Sequence, residues 1–182
     1  SFEPNGRMRC FGHSEAGAEM AASALERLRF SLKEIRAVQS MVELHLRPGS
    51  LSQNGDLPTS RAIYRYQRDA GDVAIDTLFL NLADYLAAKG PAIDESDWKG
   101  YAGRIGYVLQ AIIKGQKSER PPKLVDGNDL MSVFGLSPGP ELKVLLEAVR
   151  EAQAEGLVST REEALVFLAQ RVPEPLNPGE RH

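Results

Sequence analysis

The stretch Ser31-Leu32-Lys33-Glu34-Ile35-Arg36-Ala37-Val38-Gln39-Ser40-Met41-Val42-Glu43-Leu44-His45-Leu46-Arg47-Pro48 carries a complete helix grammar. Ser31 and Glu34 stand three apart, the spacing at which a serine side chain and a glutamate can each satisfy the other's backbone amide at a helix start. Ile35, Val38, Val42 and His45 then fall on one stripe, so an apolar face exists and an imidazole rides on it. Pro48-Gly49 stops the run. The chain on either side repeats this pattern, and period-two alternation is weak throughout, so the fold class is all-α.

Upstream, residues 14–29 read as a helix, with Ala16, Met20, Ala24 and Leu28 at helical spacing. Gly17, Ala18, Ala21 and Ala22 crowd the same segment and point to close packing against a neighbouring helix. Downstream, 49–58 is a loop by composition. A third helix over 59–70 turns Ile63 and Tyr66 inward and Arg61, Arg65 and Arg68 outward. Asp72 is placed to cap a fourth helix running to Lys89, with Ile75, Leu78, Leu82 and Tyr85 inward. A fifth helix covers 94–114, with Trp98, Tyr101, Ile105, Val108 and Ile112 as its stripe.

The character then changes. Residues 115–124 are a polar, basic, proline-containing connector, which separates a helical domain at 1–114 from a smaller helical tail at 125–172. In the tail, 126–131 open a short helix. Pro138-Gly139-Pro140 open the next, with Leu142, Leu145, Val149 and Ala152 as its stripe. Thr160 and Glu163 form a second capping box, and the helix they start buries Leu165 and Leu168. Residues 173–182, rich in proline, read as a frayed end. The opening Ser1-Phe2-Glu3-Pro4-Asn5-Gly6 reads like the middle of a loop, an expectation that the chain is part of a longer protein.

Composition narrows the function classes. A net charge of −3 confines any nucleic-acid or membrane surface to a local patch. A single cysteine, Cys10, excludes an internal disulfide and fits a reducing, cytoplasmic setting. No apolar run is long enough to span a bilayer, so no membrane partner is expected. Of three histidines, His182 is terminal, while His13 and His45 lie at the edge or on the face of helices. With Asp84 they are the ligand types of a divalent-metal site, as imidazole and carboxylate bind and activate through such an ion. The same residues fit a plainer arrangement, with His13 at a helix start, His45 a hydrogen-bonded core histidine and Asp84 solvated. Arg104, Lys114, Lys117, Arg120 and Lys123 form a basic run able to grip RNA phosphates, diluted by Glu119. It reads equally as a solvated connector. The helix start at Pro138-Gly139-Pro140 could attract an anion, but two prolines remove donors and Glu141 repels it.

These residues carry a resemblance. Phe11-Gly12-His13 with Gly17-Ala18, then Val42 and His45-Leu46 with Pro48, an arginine-rich helix, and Leu80 with Ala83-Asp84, together resemble the second half of an HD-type helical domain. More specifically, they resemble the HD-containing part of bacterial tRNA nucleotidyltransferases and poly(A) polymerases. The tail is similar to the carboxyl-terminal segment of that family, through Leu124-Val125-Asp126-Gly127-Asn128-Asp129-Leu130-Met131, Gly135-Leu136-Ser137-Pro138-Gly139-Pro140, Glu151-Ala152-Gln153-Ala154-Glu155-Gly156 and Thr160-Arg161-Glu162-Glu163-Ala164-Leu165.

The resemblance implies an HD bundle incomplete at its amino-terminal side. The nucleotidyltransferase head, with Mg and ATP or CTP, would lie upstream. His13, His45 and Asp84 would be the later ligands of a site for Mg, Mn or Ni whose main partners are absent. The chain's role would be to bind and position tRNA, with no nucleotide transfer of its own. Two other classes stay open at this point: a metal-dependent HD phosphohydrolase of phosphomonoesters or cyclic nucleotides, and a structural helical module that self-associates as a homodimer through the small-residue face at 16–24.

Overall fold

The computed structural model describes residues 12–52, 55–117 and 122–172. Among the described residues there are eight α-helices and three single 3-10 turns, and no strand. The chain divides into two compact units, Ser1–Lys117 and Ser118–His182. No helix among the described residues is long and apolar enough to cross a membrane.

The first unit holds α1 (His13–Arg27), α2 (Leu32–Leu44), α3 (Ser60–Ala70), α4 (Ala74–Lys89) and α5 (Glu95–Lys117). Helix α2 starts as its sequence demands, with Ser31 Oγ accepting from the Glu34 amide and the Glu34 carboxylate accepting from the Ser31 amide. The two exchanges satisfy donors that the first helical turn leaves open.

Helix α1 lies along α2 as an antiparallel hairpin, and its orientation differs from the sequence expectation. Met20 and Leu28 are about 70% exposed, while Ala18 is buried. The small residues make the contact. A Cβ added to Gly17 would stand 3.4 Å from Val42 Cγ1, so the helices approach where side chains are smallest. Part of the small-residue segment considered for self-association thus packs against α2 of the same chain.

The core of this unit lies among α3, α4 and α5. Ile63, Tyr66, Leu78, Ile105, Val108 and Ile112 are buried together. Asp72 does not cap α4. Residues Gly71–Val73 form a 3-10 turn that leads straight into the helix, with Val73 at the cap position and no side-chain cap. Helix α4 buries Thr77 and Asn81 beside Ala74 and Leu78, two polar residues that no apolar stripe predicts. Thr77 donates back to Val73 O at 2.7 Å, which satisfies its hydroxyl within the helix.

Tyr66 is fully buried and its hydroxyl donates to Ala74 O at 2.6 Å. Burial pushes its phenol from the ordinary 10.0 up to about 12, against opposing effects of Thr77 and Arg47. The folded state therefore holds this proton more tightly than the unfolded chain does. That contribution is fully present below pH 10 and is lost as pH rises through about 12. In an alkaline titration followed by tyrosine absorbance, Tyr66 is expected to ionise together with unfolding of the first unit. Tyr66→Phe should remove that step, and an unchanged profile would contradict the assignment.

The second unit holds α6 (Gly127–Phe134), α7 (Pro140–Ala154) and α8 (Arg161–Ala169). Asp126 and Asp129 form a capping box at α6, and Thr160 and Glu163 form one at α8. Gly135 ends α6 in the left-handed region at φ 65°, where a Cβ is penalised. Pro140 takes the first position of α7, where its missing N–H costs nothing. Leu130, Leu142, Leu145, Val149, Ala164 and Leu168 form one core, and Leu165 is half-buried against it. Arg161 Nη2 donates to Asp129 Oδ1 at 2.6 Å, tying the start of α8 to α6. Residues 173–182, expected to fray, and Cys10 lie outside the described residues.

Candidate functional site

The helix grammar places the two histidines together. His45 is the C-cap of α2 and is buried, and His13 opens α1 at the matching end of the hairpin. Their rings meet edge to face with centroids 5.4 Å apart. His45 Nδ1 contacts Val42 O at 2.5 Å. A carbonyl can only accept, so Nδ1 is the donor of this contact. Backbone-held imidazoles of this kind are how proteins present a nitrogen ligand.

The carboxylate does not join them. Asp84 is exposed on α4, and among the described residues no three of His, Cys, Asp and Glu come together as a metal-holding group. Two imidazoles fall short of the three or four protein donors that a zinc-like ion takes. The described residues do not fit a metal site by themselves.

Below His45 a buried polar chain locks the unit. Asn81 is 3% exposed; its Nδ2 donates to His45 O at 2.8 Å, and its Oδ1 accepts from Tyr101 Oη at 2.7 Å. One side chain of α4 thus ties the end of α2 to α5. Gly49 completes the joint, since a Cβ there would stand 2.5 Å from Tyr101 Oη. Tyr101 also stacks on Tyr85 at 4.1 Å between centroids, and Tyr85 on Trp98 at 6.0 Å. Burial pushes the Tyr101 phenol up. The bond to Asn81 and the charge of Arg104 oppose this, while Asp84 and Tyr85 reinforce it. Sequence reasoning missed Asn81 because its partners are 36 and 20 residues away.

The basic run is divided between the two units. Arg104 and Lys114 lie on α5 in the first, and Lys123 precedes α6 in the second, where it is exposed. Lys117 is the last residue of α5, and Arg120 lies outside the described residues. Arg104 is half-buried, with its guanidinium 5.7 Å from the Tyr101 ring centroid. Ten residues on, Lys114 is exposed. It stands roughly 15 Å further along the axis and about a quarter turn round it. Arg104 and Lys114 therefore do not share one face of α5.

Comparison with known proteins shows the family. The chain is 37% identical over 169 residues to the CC-adding tRNA nucleotidyltransferase of Thermus thermophilus. That match covers 92% of this chain and 35% of the relative. This chain belongs to the tRNA nucleotidyltransferase family. The A-adding tRNA nucleotidyltransferase of Deinococcus radiodurans is 31% identical over 93% of the chain and 37% of its own length. A CC-adding tRNA nucleotidyltransferase of Synechocystis is 26% identical over 84% of the chain and 33% of its own length. The chain spans about a third of the length of these relatives. No protein-family model matches it, and no solved structure does. The family membership expected from the motifs around His13, His45 and the tail thus holds.

Proposed function

We propose that this segment binds and positions tRNA for a nucleotide-adding reaction carried out elsewhere in a longer protein. One observation carries the reading. The same segment is shared with relatives named for two different products, CC and A. What such enzymes have in common is the tRNA, so a segment common to both is suited to holding tRNA, not to choosing the nucleotide. Packed helices that present arginine and lysine at their surfaces suit a shape-based grip on folded RNA.

In this reading the first unit corresponds to the later helices of an HD-type bundle and the second to the family's helical tail. Arg104, Lys114, Lys117, Arg120 and Lys123 supply cations to the RNA backbone. His13 and His45 hold the open end of the α1–α2 hairpin together through their ring contact. Mg with ATP or CTP belongs to the catalytic head, and the handling of tRNA implies a cytoplasmic protein.

The test is a titration of the 182-residue chain with labelled tRNA at two salt concentrations, with duplex DNA as control. Binding is expected to prefer tRNA and to weaken steeply with salt. The same chain given tRNA, ATP and CTP is expected to extend no 3′ end. Equal affinity for the DNA, or extension above background, would overturn the reading.

A further inference from the structure

Helix α3 carries an arginine cluster that the basic run on α5 and the connector does not include. Arg47, at the end of the α2 segment, and Arg61 and Arg65, one turn apart on α3, line a cavity of about 300 Å³ with Ser50 and Thr59. The spacing explains the convergence. Residues four apart share a helix face, so Arg61 and Arg65 project side by side. The turn at Pro48–Ser50 brings Arg47 back towards the start of α3.

Among the described residues no carboxylate lines this cavity. Asp69 pairs with Arg47 and with Arg68 from its edge, which orients Arg47 and offsets part of the charge. Arg61 and Arg65 also interact within the protein. A guanidinium has five N–H donors in a planar fork, so it can serve more than one acceptor at a time. Thr59 Oγ1 accepts from the Ala62 amide as the N-cap of α3, and its own O–H proton remains available. The start of α3 adds the positive end of a helix to the same spot.

We infer that Arg47, Arg61, Arg65 and Thr59 form a phosphate-binding site that takes a phosphodiester of the tRNA backbone. The ligand class follows from the donors. Planar guanidinium forks match the oxygen spacing of a phosphate, and among the described residues nothing aromatic lines the cavity to hold a nucleobase. A free phosphate shares this chemistry, and the experiment separates the two sources. The RNA source rests on the proposed tRNA-holding role. The site lies on α3, so it is a contact independent of Arg104 and Lys114 on α5.

The experiment titrates labelled tRNA into the full chain, the Arg61→Ala/Arg65→Ala variant and the Arg104→Ala/Lys114→Ala variant, between about 50 and about 200 mM salt. Arg61 and Arg65 are exposed, so the fold should survive their loss, checked by an unchanged thermal melt. Arg61→Ala/Arg65→Ala should weaken tRNA binding about tenfold and flatten the slope of log affinity against log salt by about 1, the loss of one phosphate contact. An Arg61→Lys/Arg65→Lys variant, which keeps the charge, should retain the slope but not the full affinity. Unchanged affinity and slope in the alanine variant would overturn the site, and would leave the tRNA reading standing if the α5 variant loses binding. Should the wild-type chain bind no tRNA, the tRNA reading fails. The site is then decided by inorganic phosphate, followed through the arginine Nε signals by NMR. Saturable shifts at Arg61 and Arg65 would uphold it with free phosphate as ligand, and their absence would overturn it.

Discussion

Leu168→Ala is expected to melt the second unit while the first stays folded. Leu168 is fully buried at the meeting of α6, α7 and α8, packed in one cluster with Leu130, Leu145 and Val149. Truncating a leucine in such a position costs about 2–5 kcal/mol, the transfer energy of the lost methyl groups plus the cavity they leave. A unit this small is stabilised by only about 3–5 kcal/mol from a single core. The loss therefore approaches the whole stability of the unit. Hydrogen exchange on the full chain reads the result directly. Amides of α6 to α8 should lose protection, while those of α3 to α5 keep it. Val166→Ala, on the exposed side of the same helix, should change little. Loss of protection across both units at once would show that they fold as one.

Asn81→Leu carries the second large effect, in the first unit. Leucine matches asparagine in shape, so the substitution tests the hydrogen bonds with little change in volume. It leaves His45 O without its donor in a buried place, at about 1–3 kcal/mol. Tyr101 Oη loses its acceptor as well, at a smaller cost, since Tyr101 is half-buried and water can reach it. Together these amount to about 2–4 kcal/mol, read as a shift in the urea midpoint of the first unit. Tyr101→Phe alone should cost less, and adding it to Asn81→Leu should cost almost nothing more. If Asn81→Leu stayed within about 0.5 kcal/mol of wild type, the range of an ordinary surface change, the chain from α2 through α4 to α5 would not be what holds the unit.

The two expectations separate what local rules can see from what they cannot. The capping boxes at Ser31/Glu34 and Thr160/Glu163 were legible because both partners sit within one turn of each other. So were the stripes of α3, α5 and α7, where Tyr66, Val108 and Leu145 recur at the helical period and are buried. The direction of α1 was not visible. Periodicity marks Met20 and Leu28 as strongly as the alanines, but only α2 decides that the small residues approach and the large ones face out. Asp84 was matched by type to His13 and His45, and type says nothing about distance.

By itself, then, the sequence determined the helices, the capping-box starts and the family, because each rests on patterns short in sequence or shared along it. Only the tertiary structure decided the rest. The meeting of His13 with His45, the burial of Asn81 between α2 and α5, and the gathering of Arg47 with Arg61 and Arg65 join residues many positions apart. Such contacts depend on how helix faces pack, and packing selects among faces that the hydrophobic pattern alone leaves equivalent.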